Sequence, residues 1–199
     1  MCGSNPELSP EVNSAKCIGG TALGLAIIDL IGFPIIAIIL PFVGPWFLVS
    51  ALAGLFCVIA GSIVCCCGPK LKGEGICKMN AAGILFIIAA VFHFIAIILP
   101  IVGFLILTAA ATACYDECDS TDFGGLRTLT SCPGTADDPY GIEHLANCTS
   151  AAAGAALIAI FAWPVMIFAL VAMILEIVGA VKCMKAKKAI LAEGGPSVK

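Results

Sequence analysis

Three ionisable side chains, Asp29, His93 and Glu176, stand inside otherwise apolar stretches of this 199-residue chain. Two carboxylates and an imidazole are the groups that build proton paths, and they also ligate metals or pigments. The competing reading is structural, each side chain hydrogen-bonding a neighbouring helix and fixing its packing, with Asp29 as a neutral acid. None has a second carboxylate nearby in sequence, and no helix offers two spaced ligands, so packing is the expectation. No other chemistry presents itself. The chain has no Gly-rich phosphate loop, no G-x-S-x-G elbow and no H-E-x-x-H pair, and it holds two histidines in all. Asp116-Glu117-Cys118-Asp119 lacks the alternating acids of a calcium loop. The expectation is a protein that is not an enzyme and uses no cofactor or metal.

Twelve cysteines supply the remaining reactive groups. Cys114, Cys118, Cys132 and Cys148 fall in the one sizeable polar segment, 111–150, and read as two disulfides of open connectivity. His144 is too isolated to suggest zinc there. Cys65, Cys66, Cys67, Cys77 and Cys183 lie at the ends of apolar stretches, where cysteines are common acylation sites. Asn147-Cys148-Thr149 is a formal glycosylation acceptor that competes with bridging at Cys148.

The elements that carry these residues follow from composition. The chain is 61% apolar and 12% charged, about half the charge of soluble proteins. Four stretches, 17–40, 46–67, 79–110 and 151–181, meet the length of about 20 apolar residues that a bilayer crossing needs. The expectation is an all-α membrane protein, a single tetraspan domain over 1–199 with a small disulfide-bonded external loop at 111–150. The first 16 residues lack the apolar core of a cleavable signal, so the first span would insert itself. Lys70, Lys72 and Lys78 follow the second span, and Lys182, Lys185, Lys187 and Lys188 follow the fourth. The long loop carries Arg127 against Asp116, Glu117, Asp119, Asp122, Asp137, Asp138 and Glu143. Positive charge marks the cytoplasmic side, so both termini are expected there, in a plasma or secretory-pathway membrane. These spans set Asp29 near mid-membrane, His93 in the outer half of the third helix and Glu176 close to the cytoplasmic end of the fourth.

Part of the first stretch recurs in the third. Ile36-Ala37-Ile38-Ile39-Leu40-Pro41-Phe42-Val43-Gly44 returns as Ile95-Ala96-Ile97-Ile98-Leu99-Pro100-Ile101-Val102-Gly103, and Leu52, Ile59, Gly61, Cys65 and Lys70 align with Leu170, Ile177, Gly179, Cys183 and Lys188. The spans read as two repeated helical hairpins of the parallel kind, the first closing tightly at Pro41–Pro45. Pro100 should mirror Pro41 at the outer boundary, since residues 79–99 already give about 32 Å of helix. The apolar sequence nevertheless runs on through Phe104-Leu105-Ile106-Leu107, which predicts a stalk of helices 3 and 4 beyond the membrane surface, capped by the loop.

Four spans, inside termini, a very short first loop, a cysteine-bearing second loop and the membrane-edge run Cys65-Cys66-Cys67-Gly68 resemble the tetraspanin class, as do the polar Asp29 and Glu176. The large loop lacks the Cys-Cys-Gly signature of that class. The chain is similar to about the same degree to the membrane-spanning four-domain family of the B-cell surface antigen type; claudins, with their large first loop, fit less well. The resemblance implies a scaffold that binds membrane lipids and other integral membrane proteins, a homo-oligomer included, and no nucleic acid. The alternative is an accessory or pore-forming subunit of a channel or transporter. A pore would turn Asp29 and His93 toward a shared aqueous path; a scaffold would bury them between helices of one protomer.

Overall fold

A computed structural model describes residues 8–39, 44–66, 75–123, 126–135 and 137–192. Cys67, Lys70, Lys72 and the Pro41–Val43 part of the expected tight turn lie outside the described residues. The elements are α1 (Pro10–Ile39), α2 (Gly44–Cys65), α3 (Ile76–Glu117), the strands β1 (Asp119–Phe123) and β2 (Leu126–Ser131), and α4 (Ile142–Ala192). Each helix contains a stretch long and apolar enough to cross a membrane, which makes the chain a multi-pass membrane protein.

The helices are longer than the apolar stretches that signalled them. α1 starts at Pro10, well before residue 17, because the Ser9 carbonyl accepts the Asn13 N–H at 3.1 Å and proline suits the first helical position. Leu8, Val12 and Ala15 are buried, so this first part of the helix packs despite its polar neighbours. The expected loop 111–150 is largely helical at both ends. α3 continues through Pro100 to Glu117 and α4 begins at Ile142. Ala109, Ala110, Ala111 and Ala113 favour helix strongly, and Thr108 and Thr112 return their hydroxyls to the carbonyls of Phe104 and Thr108, at 2.7 and 3.1 Å. Polarity there ends the apolar run without ending the helix. At its far end α4 reaches Ala192, with Ile190 buried.

The chain divides into two compact units, Met1–Ile97 with Met166–Lys199, and Ile98–Val165. In the first, α1, α2 and the adjoining parts of α3 and α4 share one core that includes Ala22, Ala26, Cys57, Ala60, Met79, Phe86, Ala180 and Cys183. Small residues set the helix spacing. A Cβ added at Gly61 would lie 2.9 Å from the Gly19 carbonyl and 2.9 Å from Leu23 Cβ, and one at Gly19 would meet Val64 at 3.0 Å. These pairs run in opposite order along the chain, so α1 and α2 are antiparallel. α4 meets α3 in the same manner, Gly179 against Phe86 at 3.3 Å and Gly83 against Cys183 at 3.5 Å. Such contacts suit a solvent that gives helices no hydrophobic reason to associate.

The second unit is built on a short antiparallel hairpin. β1 pairs with β2 from Phe123↔Leu126 to Asp119↔Ser131, with an irregularity at Asp119/Ser120. Disulfides join Cys114 to Cys148 and Cys118 to Cys132, resolving the connectivity. The first ties the last turns of α3 to the first turns of α4; the second ties the end of α3 to the end of the hairpin. Leu129 and Leu145 pack on the bridges. Asp138 starts α4, its carboxylate accepting the N–H groups of Ile142, Glu143 and His144 at 3.1, 2.8 and 3.1 Å. Gly141 takes a positive φ of 65° directly beneath Cys132, where a Cβ would strike the Cys132 carbonyl.

Candidate functional site

The site grows out of the α1–α2 seam. Ser50, Gly54, Cys57 and Gly61 follow one another on α2 at steps of three or four residues, so all face the same way. Gly54 lets the backbones approach, since a Cβ there would stand 2.8 Å from Asp29 Cβ and 3.1 Å from the Ala26 carbonyl. Cys57 donates its S–H to the Ala22 carbonyl at 3.6 Å. The seam therefore presents Asp29 with Ser50, whose hydroxyl donates to Asp29 Oδ1 at 3.0 Å.

α3 closes the arrangement with His93, next to a Phe92 ring that stacks on Phe56 at 5.6 Å. His93 Nε2 lies 2.7 Å from Asp29 Oδ2, and Nδ1 lies 2.9 Å from Glu176 Oε2 on α4. The imidazole thus bridges two carboxylates from two different helices. Asp29, His93 and Glu176 are each 1% exposed and Ser50 is 0% exposed. All four helices contribute a polar group, and none of these groups faces outward.

Beside the array lies a cavity of about 10 Å³, lined by Ala22, Ala26, Asp29, Cys57, Ala172 and Glu176 among others. That is room for about one water and far too little for an organic substrate. Cys57 and Glu176 both line the cavity. Among the described residues, Glu176 Oε1, the oxygen not bonded to the imidazole, has no hydrogen-bond partner.

The structure unites three residues that the sequence presented separately. Direct contact puts Asp29, His93 and Glu176 at one level of the bundle. Glu176 is not close to a helix end, because α4 continues past residue 181 to Ala192. Ser50 and Cys57 belong to the site and were missed. Their signal was present in the spacing they share with Gly54 and Gly61.

The other candidate residues separate clearly. Cys66 and Cys77 are exposed, Cys65 is half-buried, and Cys183 is fully buried against Gly83, which leaves it no room for an acyl chain. Asn147 is exposed on α4, immediately before the disulfide-bonded Cys148. His144 lies near Cys114 and Cys148, but their sulfurs are bonded to one another and offer no thiolate. Its Nε2 is 3.7 Å from Glu117 Oε2 at the surface.

No family model, curated protein or solved structure matches this chain. Function must be read from its own residues.

Proposed function

We propose that this protein is a structural component of a membrane assembly, a scaffold that binds other integral membrane proteins through its helices and its disulfide-bonded segment. One observation carries the reading: Asp29, His93 and Glu176 are buried against one another between helices of a single protomer. A deeply buried carboxylate–imidazole–carboxylate bridge specifies which helices pair and in what register, which is the best-attested use of buried polar groups. The tetraspanin-like or four-domain-family character, the two-hairpin repeat and the cytoplasmic placement of both termini belong to the same proposal. The repeat is supported by the similar way in which small residues bring α2 onto α1 and α4 onto α3. Acylation is assigned to the exposed Cys66 and Cys77.

Partners would meet the protein partly through the second unit. Leu105, Ile106, Ile160 and Trp163 are each more than 60% exposed there, and apolar surface of this kind costs about 25 cal/mol per Å² if left in water. Purification in mild detergent followed by native mass measurement should recover a stoichiometric complex with another membrane protein, lost on Leu105→Asp while the chain still inserts. Ion flux through liposomes containing the purified protein alone would instead select the pore reading. For orientation, an impermeant thiol reagent applied to intact cells should leave Cys77 unlabelled. Labelling from outside would invert the assigned topology.

A further inference from the structure

The buried array is unbalanced in charge, a property separate from any scaffold role. With both carboxylates ionised and His93 protonated, or with one proton moved between them, the three side chains carry a net charge of minus one. Among the described residues, α1 brings Asp29, α2 the neutral Ser50 and Cys57, α3 His93 and α4 Glu176, and no further cation lines the cavity. An uncompensated charge at 1% exposure in an apolar bundle is costly enough that such groups neutralise. One more positive charge is required, and the geometry leaves one place for it. Asp29 Oδ1 accepts from Ser50, while Asp29 Oδ2 and Glu176 Oε2 both face the imidazole. Glu176 Oε1 alone among these carboxylate oxygens has no partner, and its residue lines a cavity sized for one water.

We propose that Glu176 Oε1, with the adjoining cavity and Cys57, is a proton-binding site inside the membrane domain. A proton enters by way of a single water in the cavity and is left on Oε1, the water being retained. The resulting O–H donates to that water, since the Cys57 thiol is directed at the Ala22 carbonyl. The array then holds an imidazolium, one carboxylate and one carboxylic acid, and is neutral. A hard divalent cation fits the position poorly. It would take six or more oxygen ligands, whereas the lining mixes two carboxylates with a thiol and alanine and leucine side chains.

Infrared difference spectroscopy on the full chain in lipid at neutral pH tests this. The expected result is a protonated-carboxyl C=O band that shifts with side-chain ¹³C-glutamate, is unmoved by ¹³C-aspartate, and shifts slightly in D₂O as the cavity water exchanges. Glu176→Gln should remove the band completely, and Cys57→Ala should change its frequency. The isotope arms need no variant, so misfolding of either mutant leaves the test intact. Absence of a protonated glutamate band, or a band that follows the aspartate label, overturns the proposal. So does a band that survives Glu176→Gln in folded protein.

Discussion

The two units of this molecule are fixed by opposite means. Among the described residues the first unit contains no covalent cross-link; small residues bring its helices close and a buried hydrogen-bonded bridge selects their register. The second has a core of a few cysteines and leucines held by two disulfides and a helix cap. In an apolar solvent a polar contact has no competing water, so it can discriminate between packings. A small polar segment cannot bury enough apolar surface to order itself, and covalent closure of the chain substitutes for the missing core. The units therefore differ in which single change undoes them.

The largest effect is expected at the bridge. His93→Leu leaves Asp29 and Glu176 as two buried acids with nothing between them and should cost about 3–5 kcal/mol, read as a lower midpoint of unfolding in detergent. Amide exchange in β1 and β2 should stay unchanged. Replacing Asp29, His93 and Glu176 together by leucine should be far milder than the single change. If His93→Leu is neutral, the first unit is held by packing alone and the contrast fails.

Next comes the second unit. The Cys114–Cys148 bridge spans 34 residues and the Cys118–Cys132 bridge 14, so loop closure ascribes about 3–4 kcal/mol to each, the longer contributing more. Serine at both members of one pair should raise amide exchange across 119–131 while α1 and α2 keep their protection. Loss of protection in both units would show them to be one cooperative body. A smaller effect is expected at the seam. Gly54→Val pushes into Asp29 and the Ala26 carbonyl and should cost about 1–3 kcal/mol. Gly24→Ala, with nothing within 4 Å of the new methyl, serves as the neutral control in the same unfolding assay. Smallest is Asp138→Ala, about 1 kcal/mol through loss of the α4 cap, visible as faster exchange at Ile142, Glu143 and His144; Asp138→Asn should recover most of it.

Four apolar helices and a cysteine-rich polar segment were legible in the sequence because bilayer thickness and redox chemistry each leave a composition signature. Helix ends were not, since α3 leaves its apolar run on alanines that are good helix formers in any solvent. The hairpin had a signal in Gly124-Gly125 between strand-forming residues. The site was half legible. Asp29, His93 and Glu176 stood out one by one, but His93 meets its partners across separations of 64 and 83 residues, and no local pattern records a pairing made by tertiary structure. Ser50 and Cys57 are marked in sequence only by the spacing they share with Gly54 and Gly61, because a hydroxyl or thiol in an apolar helix can satisfy itself on its own backbone.

That the bridge draws on α1, α3 and α4 has a consequence for how the chain is made. Synthesis delivers Asp29 first, and at that stage its one bridging neighbour is Ser50 of α2. His93 follows only when α3 emerges, and Glu176 arrives last of all. The nascent α1–α2 pair must therefore wait in the membrane with an unmatched acid, a state that a membrane chaperone could recognise. Completion of α4 is the event that releases it.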